Sequence, residues 1–190
     1  MSLRAKLLLA QLPLALALVA VGVVAMWSVS MLSDLSQLIL RDNYQSVLAA
    51  ERMKESLERL DSAAIFIVAG ERSRAEPQAA EHLGKFEQQL KIQEQNITEY
   101  DQHEDVATAK LRRQWDTYRK LLTKYLKLSD LKEMKRQYFD VLQPQFVRVK
   151  DAADDVLQIN QGAMHHRAEV ARRTGQWTIS VVASVAVGAV

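Results

Sequence analysis

Apolar positions recur at three- and four-residue spacing along most of the chain, and its two ends are apolar throughout. Ala50, Met53, Leu57, Leu60, Ala64 and Ile67 form an a/d run, the signature of a helix with one buried stripe. This first helix is expected to run unbroken from the N-terminal apolar segment. Gly70, followed by the polar residues 71–74, is expected to stop it. Pro77, near a first turn, is expected to start a second helix. Its seam is Ala79, Leu83, Phe86, Leu90, Gln93, Ile97 and Tyr100. Residues 101–105 read as a polar turn whose acids suit a helix N-terminus. A third helix carries Leu111, Trp115, Tyr118, Leu122 and Tyr125. Ser129 and Asp130 read as a turn and N-cap for a fourth helical stretch to Gln176, interrupted near Pro144. The last seam is Phe146, Val149, Ala153, Val156, Asn160 and Ala163. The pattern predicts an all-α fold: an antiparallel up-down-up-down four-helix bundle flanked by transmembrane helices.

The flanks follow from length. Residues 7–29 hold no charge, and as a helix they extend about 34 Å, enough for a hydrocarbon core of about 30 Å. A cleaved signal peptide has a shorter apolar core and a small-residue cleavage site, so an uncleaved anchor is the better reading. Arg4 and Lys6 before it place the N-terminus in the cytoplasm. Residues 177–190 are also uncharged and about 21 Å long, read as the start of a second membrane helix. The expected organisation is therefore a cytoplasmic N-terminus over 1–6, a transmembrane helix over 7–32, a four-helix bundle on the outer side of the membrane over 33–176, and the beginning of a second transmembrane helix over 177–190. The outer helices are longer than the inner pair, which predicts a two-helix stalk next to the membrane.

Charge sharpens the helix order. Residues 33–105 carry 8 basic and 15 acidic groups, whereas 110–136 carry 10 basic and 3 acidic. The basic third helix is expected to pack against the acidic first two, and no nucleic-acid partner is expected on the outer side of a membrane. With 0 Cys, disulfides and thiolate chemistry are excluded, and the 6 glycines never approach a phosphate-cradling spacing. His82, His103, His165 and His166 form no H-E-x-x-H pair, and the paired Glu-x-x-His motifs of a di-iron bundle are lacking. No catalytic residue, metal or cofactor is expected within these residues.

Polar residues on otherwise apolar seams remain: Asn43 and Ser46 toward the first membrane segment, Gln93, and Asn160. One reading is that they fix register, as buried Asn does in coiled coils. The other is a signal-binding or bistable zone. An antiparallel ladder pairs first- and last-helix positions whose numbers add to about 209. It sets Asp42 beside Arg167, Arg52 beside Asp155, and Asn160 near Ala49. Arg41 and Arg52 could grip an anion with their donor forks, or simply form ion pairs in which Asp42 meets Arg167 and Arg52 meets Asp155. The candidates for signal binding or switching are thus Arg41, Asn43, Arg52, Asn160 and Arg167.

The segment ILRDNYQSVLAAERMKESLERLDSAA at 39–64 resembles the first periplasmic helix of bacterial two-component sensor histidine kinases with an all-helical input domain, the KinB-like kinases among them. NITE at 96–99 and VLQINQGAM at 156–164 are similar to two further stretches of that group, although Gly162 stands where a helix-favouring residue is expected. Chemoreceptors carry similar bundles. The resemblance implies a homodimer in the bacterial inner membrane that receives an extracytoplasmic signal. It further implies a HAMP linker and kinase domain acting on a response regulator. A methyl-accepting chemotaxis receptor and a structural membrane tether are the alternatives.

Overall fold

The computed structural model describes residues 3–38, 43–97 and 102–188. Among them the chain is helical with no strand. Helix α1 spans Leu3–Leu38, α2 Tyr44–Val68, α3 Arg72–Gln95, α4 Gln102–Tyr125 and α5 Leu131–Gln137. A π-helical turn, Tyr138–Leu142, joins α5 without a break to α6, Gln143–Gly188. The chain divides into two compact units, residues 41–163 and residues 1–40 with 164–190.

Residues 41–163 form the four-helix bundle. Helix α2 packs on α3, α3 on α4, α4 on the π-helical turn, and α5 back on α2. Every position of the first and third expected seams is buried. Between the seams sit Ala63, Ala75, Ala107 and Ala152, whose small side chains let the helix backbones approach closely. The centre is aromatic: Phe86 stacks on Trp115 at 3.7 Å between centroids, and Tyr118 lies beside Trp115. Tyr125 donates to the Ala64 carbonyl at 2.8 Å, and burial pushes its phenol up to about 12. Tyr138 donates to Asp61 at 2.9 Å, while the Tyr118 hydroxyl is buried without a hydrogen-bond partner among the described residues.

The helix ends follow local chemistry. Gly70 has φ 88°, and it closes α2 with paired hydrogen bonds, Glu71 N to Phe66 O at 2.8 Å and Gly70 N to Ile67 O at 3.1 Å. This is the αL closure that only glycine takes without strain. Asp130 caps α5 as expected, accepting from the Glu133 amide at 2.8 Å.

Two expectations need correction. Helix α3 begins at Arg72 rather than near Pro77, because Arg72 reaches across to the Leu126 and Leu128 carbonyls and is fixed there, leaving Pro77 inside the helix. Pro144 does not interrupt the last helix. Proline lacks an amide and crowds the carbonyl four residues back, and the widened π-helical turn just before it takes up that conflict. The first helix over 33–69 is described as α1 up to Leu38 and α2 from Tyr44, and the residues joining them lie outside the described residues.

Charge complementarity is realised between α3 and α4. Arg112 grips Glu94 through two hydrogen bonds at 2.7 and 2.8 Å and reaches Glu87 at 2.6 Å. Glu87 also accepts from the Trp115 indole at 2.7 Å. Burial works to raise the Glu87 carboxyl, but the Arg112 and Trp115 hydrogen bonds outweigh it and hold the group below the usual range. Lys110, of the same basic set, turns instead to Asp155 on α6 at 2.8 Å.

In the other unit, Ser28 and Thr178 hydroxyls meet at 2.8 Å, with Ser28 buried. Leu12, Leu16, Val19, Val23 and Met26 of α1 are exposed, as are Trp177 and Ile179 of α6. Among the described residues, no helix is long and apolar enough to cross a membrane.

Candidate functional site

One cross-section of the bundle is polar where the rest is apolar. Its hub is Glu104, 1% exposed, in the first turn of α4. A single oxygen, Oε1, accepts from Gln93 Nε2 of α3 at 2.9 Å, Asn160 Nδ2 of α6 at 2.9 Å and Ser46 Oγ of α2 at 3.3 Å. All four helices therefore meet at one carboxylate oxygen. A carboxylate oxygen has about two lone-pair sites, so three donors compete for it and the longest bond, from Ser46, is the weakest. Ser46 in turn accepts from Asn96 Nδ2 at 2.9 Å.

The layer extends on both sides. Gln93 Nε2 also lies 3.4 Å from Thr108 Oγ1, one turn further along α4. Among the described residues, the Gln93 amide oxygen is buried without a hydrogen-bond partner. Asn160 Nδ2 donates a second bond to the Val156 carbonyl at 3.0 Å, and Asn43 Nδ2 reaches the Asn160 carbonyl at 3.4 Å. Buried polar groups of this kind are high-stakes: satisfied they rigidify the core, and an orphaned one weakens it.

The sequence-predicted candidates divide. Asn43 and Asn160 come together in this layer, joined by Ser46 and Gln93 from the other seams. Arg52 is exposed on α2 and lines a groove toward α3 with Gln89 and Asn96. The expected Arg52–Asp155 pair does not form. Lys54 pairs with Asp154 at 2.7 Å and Lys150 with Glu58 at 2.9 Å, each one position from the expected ladder. That register turns positions 54 and 58 toward α6 and position 52 toward α3, while Lys110 takes Asp155. Arg41 and Asp42 lie outside the described residues, and with them the expected pairing of Asp42 with Arg167. Arg167 itself is half-buried in the unit formed by residues 1–40 and 164–190.

Glu104 and Thr108 escaped the sequence reading. The third seam, extended backwards from Leu111 at the same spacing, passes through both. The acidic run 101–105 made Glu104 look like a solvated cap residue, whereas the helix turns it inward. Among the described residues, no group of three or more His, Asp or Glu side chains is placed to hold a metal ion.

Residues 1–166 match a protein family described as a four helix bundle sensory module for signal transduction. No curated protein and no solved structure matches the chain.

Proposed function

Since the chain belongs to the four-helix-bundle sensory modules for signal transduction, we propose that it is the input module of a transmembrane receptor. In this reading residues 7–32 anchor it in a bacterial inner membrane, residues 33–176 face the periplasm, and 177–190 begin the return helix. The receptor works as a homodimer. Support for the anchor is the uncharged run 7–29 within α1, whose Leu12, Leu16, Val19, Val23 and Met26 side chains stand exposed. An apolar row of that extent is poorly placed in water and well placed in lipid. The resemblance of residues 39–64, 96–99 and 156–164 to sensor kinases favours a histidine kinase and response regulator as the output, rather than a chemotaxis receptor.

The observation that carries the mechanism is the shared oxygen of Glu104. A signal that favours one helix packing over another shifts a pre-existing equilibrium by its differential affinity. A layer in which three donors compete for one acceptor has alternative pairings of similar energy, so a displacement of about 1–2 Å in α6 can exchange them. Helix α6 runs unbroken from Gln143 to Gly188 and can carry that displacement. Asn160→Leu in the complete receptor tests this. The expected result is a folded bundle whose basal kinase output shifts several-fold, with a weaker response to stimulation. Unchanged basal and stimulated output, with native helicity, would overturn the role of the layer.

A further inference from the structure

We infer that the groove between α2 and α3 is a binding site for a small organic anion, with Arg52 gripping its carboxylate. The inference rests on the sensory reading, since it names what the module detects. The groove has a volume of about 440 Å³ and presents Arg52, Gln45, Gln89, Gln95 and Asn96. Among the described residues, Arg52 is the one charged side chain of this lining, beside four carboxamides. A second groove of about 360 Å³ continues from it, sharing Arg52 and Gln89 and adding His82 and Lys85 against a single acid, Glu55. His82 Nδ1 is buried there without a hydrogen-bond partner among the described residues.

The chemistry of this lining selects its ligand. Arg52 is not taken by Asp155, which Lys110 holds, nor by Asp154, which Lys54 holds. Its guanidinium therefore offers a planar donor fork that matches a carboxylate. The carboxamides supply donors and acceptors for hydroxyl, amide or amino groups on the rest of the molecule. A purely apolar ligand would strand these groups, and a cation would meet Arg52.

The groove is also wired to the buried layer. Asn96 lines it and donates to Ser46, which donates to Glu104. A ligand that draws the Asn96 amide toward itself alters the weakest of the three bonds at Glu104 Oε1. Binding between α2 and α3 thereby reaches α6 through Asn160 without touching it.

Titration calorimetry on the full chain in detergent micelles tests the site, with gluconate, malate and glutamate as probes and sorbitol as the uncharged control. At least one of the three carboxylates is expected to bind saturably, with sorbitol silent. Arg52→Gln, a change at an exposed position, is expected to weaken that binding roughly tenfold or more. Arg52→Lys should retain part of it, and Lys120→Gln on α4 all of it. Absence of saturable binding for all three probes, or binding that Arg52→Gln leaves unchanged, overturns the site. The two readings fail differently. Arg52-dependent binding that never alters receptor output would remove the sensory reading and keep the groove. A response that persists in Arg52→Gln would do the reverse.

Discussion

Glu104 and Asp61 are both carboxylates inside a helical bundle, and their surroundings set them to different tasks. Glu104 is surrounded by donors from three helices. Asp61 has one, the Tyr138 hydroxyl, and burial raises its carboxyl above the usual range more than that bond lowers it. The folded state thus holds the Asp61 proton more tightly than the unfolded chain does. Its contribution to stability is fully present below the unfolded pKa of about 4 and is lost as pH rises through the higher folded value. Asp61→Asn, which keeps an acceptor for Tyr138, should melt higher than the parent near neutral pH. The gap should close as pH falls toward about 4. Melting curves by circular dichroism across that range check this, and a gap independent of pH would contradict it. Position decided how much of this was legible. Asn43, Ser46, Gln93 and Asn160 were visible in the sequence because each breaks an apolar seam. Glu104 hid in an acidic run, and Asp61 sits beside a seam rather than on one.

At the level of elements, periodicity and end chemistry carried most of the reading. Gly70 marked the end of α2 because the αL closure requires it, and Asp130 marked the start of α5. Gly70→Ala should lower stability by about 1 kcal/mol, the strain of an L side chain at that φ, although a methyl group there would meet open space. Urea denaturation of the full chain measures it, and an unchanged midpoint would show that the turn relaxes to another closure. Proline was the less reliable guide. Pro77 and Pro144 both suggested boundaries, and both lie within continuous helical stretches. Arg72 anchors the first turn of α3 to the end of α4, and the π-helical turn prepares the helix for Pro144. Neither the reach of an arginine nor a single extra residue in a helical turn leaves a period in the sequence. The register of the α2–α6 ladder was legible to within a position or so, which was too coarse to choose between Arg52 and Lys54 as the partner of an aspartate.

For the whole molecule, membrane topology is the largest proposal and the simplest to test. The chain has 0 Cys, so one introduced thiol is unique. Lys120→Cys, at an exposed position of α4, should react with a membrane-impermeant maleimide in cells whose outer membrane has been made permeable, and without disruption of the inner membrane. Protection until the inner membrane is broken would put the bundle on the cytoplasmic side and remove the receptor reading. The bundle was readable from the whole chain, because helical seams and their order are written in residue type, whereas the sensory class came only through the resemblance of residues 39–64, 96–99 and 156–164. What passes between helices was not, since it depends on which atoms share a partner. Four helices pinned at one oxygen behave like keys on a common ring: none slides along its neighbours without another being released. In the proposed receptor, a small push at any one of these helices is therefore expected to disturb the bonds of the other three before α6 carries the change onward.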